Sequence, residues 1–152
     1  MKITINTKLV SEEIRQKSHL NTRQIQDTDL KVSTRIGEDE MDEVDRCILQ
    51  ANGRMLTLCR KWLSPASVSA NADVLTLPQK FEYEFVGTDR RLQNKAEALT
   101  QDIHSFIVSA ALSRYYNSVF NDNLANMYER KALADAQDIT ILLNSKLPPV
   151  LS

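Results

Sequence analysis

The sequence is poor in the residues that make turns. It has three glycines and four prolines in 152 residues. An all-β sandwich needs many tight turns and a disordered chain is enriched in such residues, so the composition argues against both. It also lacks an excess of either charge. Nineteen Lys and Arg stand against 20 Asp and Glu, a formal net charge of −1. That balance gives no electrostatic reason to expect a nucleic acid or an anionic membrane as partner. Long hydrophobic runs are missing too. The longest, around Ile107 to Leu112, is broken by Ser109 and falls far short of the roughly 20 residues that span a bilayer. The opening residues Met1 to Asn6 lack the apolar run of a signal peptide.

Chemistry-bearing residues are equally few. The two cysteines are Cys47 and Cys59. On one helix they stand about 18 Å apart at ~1.5 Å per residue, whereas a disulfide needs Cα atoms within about 7 Å. They read as buried thiols in a reducing compartment. A reactive thiol needs a polar, electropositive setting, and both cysteines lie on or near an apolar stripe. Neither His19 nor His104 sits in a Glu-x-x-His pattern or at zinc spacing from a cysteine. His104, between Ile103 and Phe106, reads as an ordinary hydrogen-bonded helix residue, and His19 as a surface one. There is no Gly-rich phosphate loop and no Gly-x-Ser-x-Gly elbow. The acids at 38–43 lack the spacing of a calcium loop and read as a solvated helix start. No catalytic, cofactor-binding or metal-ligating residue is therefore assigned, no cofactor is expected, and the chain is expected not to be an enzyme.

Hydrophobic periodicity is what the chain does have. Ile3 and Ile5 alternate with Lys2, Thr4 and Asn6, a short strand at the head of an N-terminal arm over residues 1–10. Ser11 before Glu12 and Glu13 predicts the start of a helix that runs to about Gln24. Residues 26–37 read as a loop. Then Met41, Val44, Ile48, Ala51, Met55, Leu58 and Trp62 step by three and four, a seam sustained over three heptads. Acids crowd its beginning and Arg60 and Lys61 its end, as the helix dipole favours. Gly53 lies mid-helix and suits a close contact or a slight bend. Ser64-Pro65 ends that helix, and residues 64–73 read as an exposed connection.

Val74 to Leu77 predicts a strand stopped by Pro78. Phe81, Tyr83 and Phe85 alternate with Glu82 and Glu84, a half-buried strand. The two segments form a β-hairpin insertion at about 72–87, to which residues 2–6 can add a third strand. A second long helix, capped at Thr88 or Asp89, carries Leu92, Ala96, Leu99, Ile103, Phe106 and Ala110. It becomes apolar nearly all round by Tyr115, Tyr116 and Phe120. Asn121-Asp122-Asn123 breaks it. A last helix carries Leu124, Met127, Tyr128, Ala132, Ile139, Leu142 and Leu143 and stops before Pro148-Pro149.

The order of parts resembles a known family. Ser11-Glu12-Glu13-Ile14 opens a first helix. The heptad helix follows with Asp42-Glu43-Val44 and Ile48-Leu49-Gln50-Ala51, then the aromatic strand from Phe81 to Val86, then closing helices. This is similar to the small helical head–tail connector, adaptor or neck proteins of tailed bacteriophages. The stretch from Ile103 to Val108, Tyr115-Tyr116 and the segment from Asn123 to Pro149 also look like small virion proteins of phages of Bacteroidetes hosts. The resemblance implies a ring of identical subunits docked on portal or tail proteins, assembled in the bacterial host cytoplasm and located in the virion. It implies no sequence-specific nucleic acid and no membrane. Near-neutral charge fits a protein that packs on proteins and lets DNA pass.

The expectation is thus a single, mainly α domain over 1–152. It is a bundle of two long antiparallel helices, shorter flanking helices and a small β-hairpin or three-stranded sheet. Candidate intersubunit contacts are Ile3, Ile5, Phe81, Tyr83 and Phe85, which can pair with a neighbour's sheet edge. Arg90 and Arg91 can meet acids on a neighbouring subunit. The competing reading keeps those strands at home as a small intramolecular sheet. The functional alternative is a cytoplasmic helical adaptor or regulatory protein that binds a single protein partner.

Overall fold

A computed structural model describes residues 1–23, 35–72, 75–86 and 94–144. The fold is mainly helical, with one small antiparallel sheet. Strand β1 (Lys2–Asn6) leads directly into helix α1 (Thr7–Arg23). The cap of α1 is Asn6, not Ser11. Its side-chain carbonyl accepts the backbone N–H of Lys8 at 2.9 Å and of Leu9 at 3.3 Å. Those donors have no partner within a helix, which is why a short polar side chain fits there.

Helix α2 (Met41–Cys59) continues as a 3-10 turn over Arg60–Trp62. Its seam is real: Val44, Ile48, Ala51 and Met55 are all buried. Ahead of it, Glu40 reaches back to accept the N–H of Gly37 at 3.0 Å. The segment expected to be an exposed connection is instead helix α3 (Pro65–Ala72). Ser64 accepts the N–H of Ser67 at 3.1 Å, and Pro65 takes the first helical position, where its missing N–H is no loss. Ser-Pro therefore both ends one helix and starts the next.

The hairpin expectation is corrected. Residues 75–79 form no strand, and β2 (Lys80–Glu84) pairs with β1 across three intervening helices. The register sets Ile3 opposite Tyr83 and Ile5 opposite Phe81. Thr7 extends the pairing: its N–H donates to Gln79 at 3.1 Å and its hydroxyl to Pro78 at 2.5 Å. Period-two alternation fixes which face of a strand is buried but not which strand it meets. The outer edge of β2 is closed by α3. Ser64 N–H donates to Glu84 at 2.9 Å, Glu84 N–H to Ser67 Oγ at 3.0 Å, and Asn71 Nδ2 to Glu82 at 2.9 Å. Leu63 and Phe85 add an isolated bridge on that side.

Helix α4 (Ala96–Ser118) is the centre of the bundle. An unbroken run from Phe106 to Ser113 is buried, because neighbours cover α4 on several sides. Helix α5 (Asp122–Asn144) folds back antiparallel to α4 through Val119, Phe120 and Asn121. α2 packs on another side of α4. The expected caps of α4, Thr88 and Asp89, lie outside the described residues. Among the described residues no helix is long and apolar enough to cross a membrane.

Candidate protein-docking cleft

Five of the residues singled out as contacts face inward. Ile3, Ile5, Phe81, Tyr83 and Phe85 are each at most 2% exposed and join the hydrophobic core. Packing of apolar side chains onto α1 and α4 orders them so. They sit together, on the inner face of the sheet, and the Tyr83 hydroxyl donates to Asn52 Oδ1 on α2. Arg90 and Arg91 lie outside the described residues.

The chemistry-bearing side chains are placed as structure. Burial pushes the Cys47 thiol up to about 11 and the Cys59 thiol up to about 12. His104 Nε2 stands 3.3 Å from Glu13 Oε2. His19 departs from its expected surface position. It is half-buried, and its Nε2 is shielded from solvent without a hydrogen-bond partner among the described residues. No group of three or more His, Cys, Asp or Glu among the described residues could hold a metal ion.

A cleft between α2 and α5, floored by α4, is the main concave feature. Its polar end is about 330 Å³ and lined by Gln50, Ser113, Asn117, Asn126 and Glu129. Its middle, about 590 Å³, passes Gly53, Arg54, Thr57, Phe106 and Leu133. Its far end, about 520 Å³, is lined by Leu58, Leu133, Ala136, Thr140 and Ile141. Shared lining residues join the three, Arg54 between the first two and Leu58 and Leu133 between the last two. As α2 and α5 advance from Gln50 to Leu58 and from Asn126 to Ile141, α4 runs back from Asn117 to Phe106. From Asn126 to Ile141 the cleft follows about 22 Å of helix at ~1.5 Å per residue.

One ion pair divides the two halves. Arg54 grips Glu129 through its two terminal guanidinium nitrogens, at 3.0 and 2.8 Å. Ser113 donates to the same carboxylate at 3.2 Å. The Arg54 hydrogen bond holds the Glu129 carboxyl below its ordinary range. The Arg54 guanidinium also lies 5.5 Å over the Phe106 ring. Beyond that pair the walls are apolar. Leu133 is 52% exposed and Ile141 66%. A side chain at Gly53 would meet nothing within 4 Å, so the glycine leaves the wall open instead of admitting a close helix contact.

The sequence reading passed over Leu133 and Ile141, although a signal was present. The buried stripe of α5 is Ala125, Tyr128, Ala132, Ile139 and Leu143. Leu133, Ala136 and Thr140 step by three and four off that stripe, and Ile141 lies eight residues, about two turns, beyond Leu133. A second apolar surface on one helix implies a second packing surface, and among the described residues only the first is filled. Comparison of the chain with family models, curated proteins and solved structures gives no match.

Proposed function

We propose that the protein is a structural assembly subunit that binds protein through the α2–α5 cleft. The observation that carries this reading is the far half of the cleft, where exposed Leu133 and Ile141 stand beside half-buried Leu58 and Ala136 between two helices. A groove of apolar walls between helices is a surface on which another chain can bury side chains. The near half supplies orientation. Arg114 and the Arg54–Glu129 pair border it, and polar groups at the rim of an apolar patch set register more than affinity. The residue pattern that resembles phage head–tail connectors makes a connector or neck subunit the specific form of this proposal. A single-partner adaptor would use the same cleft.

The test is site-specific photocrosslinking from position 57 or 137, on the two walls, in cells that produce the full chain. The expected result is an adduct of one discrete polypeptide mass, lost in Leu133→Asp. An adduct with a second copy, or with portal or tail protein, supports an assembly subunit. Crosslinking to no protein from either wall would overturn the reading.

A further inference from the structure

The cleft between α2 and α5 is charged at one end only. Among the described residues that line it, Arg54, Arg114 and Glu129 carry charge. Arg54 and Glu129 cancel each other through their two hydrogen bonds. Arg114 is left over. It is exposed and borders both the polar end and the middle of the cleft. Its guanidinium has no ion pair or hydrogen bond among the described residues. The Cys47 thiol nearby is protonated at neutral pH and offers it no charge. A cation at the end of an apolar cleft, with the neighbouring anion already taken, favours an occupant that brings its own carboxylate.

The far half of the cleft sets the backbone form of that occupant. Its walls are Leu58, Leu133, Ala136 and Ile141, with Gln137 and Thr140 as the polar side chains. The Thr140 hydroxyl already donates to Ala136 at 2.8 Å. An extended peptide would bring a row of backbone N–H and C=O groups against these walls and find few partners there. A helix satisfies its own backbone. It also presents apolar side chains at steps of three and four, which pack into the grooves of helical walls. The cleft follows about 22 Å of α5, room for about four helical turns.

We infer that the cleft takes an acidic amphipathic helix of a partner protein, a carboxylate of that helix pairing with Arg114 while its apolar row lies on Leu58, Leu133, Ala136 and Ile141. This rests on the cleft being a protein-docking site, as proposed above, and names the chemistry of its occupant. Arg114 and Ile141 lie toward opposite ends of the cleft. The carboxylate therefore falls near one end of the helix, and the apolar residues follow over the next turns. Apolar burial supplies most of the affinity, and the Arg114 pair sets orientation and excludes basic helices.

Selection from a displayed library of random peptides about 15 residues long, on the purified full chain, tests it. Leu133→Asp, checked for helix content, serves to remove peptides that bind elsewhere. The selected peptides are expected to carry Asp or Glu near one end and apolar residues at three- and four-residue steps. Made synthetically and followed by fluorescence anisotropy, they are expected to bind Arg114→Glu at least about fivefold more weakly than wild type. Replacing the peptide's acid by Lys is expected to restore binding to Arg114→Glu and weaken it to wild type. Ile141→Asp is a second variant of the apolar wall, expected to bind at least about tenfold more weakly. Selected peptides without a carboxylate overturn the inference, as do proline-rich extended ones. So does binding that neither Arg114→Glu nor Ile141→Asp weakens, or a library that yields no binder. If crosslinking from position 57 or 137 captures a second copy, or a partner segment that is not an acidic helix, only this inference falls and the docking reading stands. An adduct confined to the same chain overturns both.

Discussion

The hydroxyl of Tyr83 on β2 donates to the side-chain carbonyl of Asn52 on α2, and both residues are at most 2% exposed. This is a polar contact among buried apolar side chains, and it joins the sheet to the seam helix. Removing one partner leaves the other buried without a hydrogen bond, at about 1–3 kcal/mol. Tyr83→Phe is expected to lower the unfolding free energy by that amount in urea titration. The double variant Tyr83→Phe, Asn52→Leu is expected to lose less than the sum of the two single losses, because neither group is then stranded. Simple additivity would show that the two side chains do not act on each other.

Ile5 lies opposite Phe81 in the register, and both are buried. Ile5→Ala is expected to destabilise the monomer by about 2–5 kcal/mol. Leu9→Ala, four residues on and 54% exposed, is expected to stay within about 0.5 kcal/mol of wild type. Equilibrium unfolding of the two variants separates a core strand from a surface arm. A negligible effect of Ile5→Ala would mean that β1 is not packed in the free chain.

Phe120 follows α4 with a left-handed φ of 60°, and Phe120→Gly is expected to stabilise the fold. Relief of the left-handed strain is worth roughly 1–2 kcal/mol, and the extra freedom of glycine in the unfolded chain takes back about 0.5–1 kcal/mol. The net expectation is a gain of up to about 1.5 kcal/mol, seen as a higher thermal midpoint. A loss of stability would show that the ring makes contacts within its own chain.

Glu129 has a folded-state pKa below its ordinary value, chiefly through the Arg54 hydrogen bond. A depressed carboxyl adds stability above its unfolded-state pKa, and that stability is lost as pH falls through the lower folded-state value. Both side chains are more than a third exposed, so solvent screening holds the contribution to about 1 kcal/mol or less. Glu129→Gln is expected to be slightly less stable than wild type near neutral pH. The difference should close on acidification below the ordinary carboxylate range. Urea titrations of both proteins at several pH values read it directly, and a gap that widens in acid would contradict the assignment.

Cys47 and Cys59 are buried free thiols with raised pKa values. The thiolate is the reactive form, and burial withholds both deprotonation and access. Alkylation of the native protein near pH 8 is expected to be far slower than that of a small thiol, and to reach the small-thiol rate in denaturant. Mass spectrometry of the labelled chain follows it. Rapid native labelling of either cysteine would show that its side of α2 is open.

Much of this fold was legible because its signals are local. The three- and four-step rows of α2, α4 and α5 depend only on helical geometry, and the alternation of Ile3–Ile5 and Phe81–Phe85 only on the pleat. Caps were harder to place. Asn6, not Ser11, opens α1, because the strand runs into the helix without a loop and the first polar side chain at the junction takes the orphan donors. The reading of residues 64–73 as a connection failed for a related reason. A proline after a helical pattern is a stop signal, yet at the first position of α3 it is a start.

The sequence alone determined the class of molecule: a mainly helical chain with two long helices, a small sheet and few groups able to do chemistry. Only the tertiary structure decided which strands meet, which aromatics are used inside, and which apolar side chains are left over. β1 pairs with β2 because both must bury one face on the same bundle, and that need joins segments far apart in the chain. Leu133 and Ile141 are as apolar as Ala132 and Ile139, and their spacing marks a surface without telling whether anything covers it. They line an open cleft because α2 and α5 both pack on α4 and leave a gap between them. Burial is a property of neighbours, and neighbours are set by the whole fold.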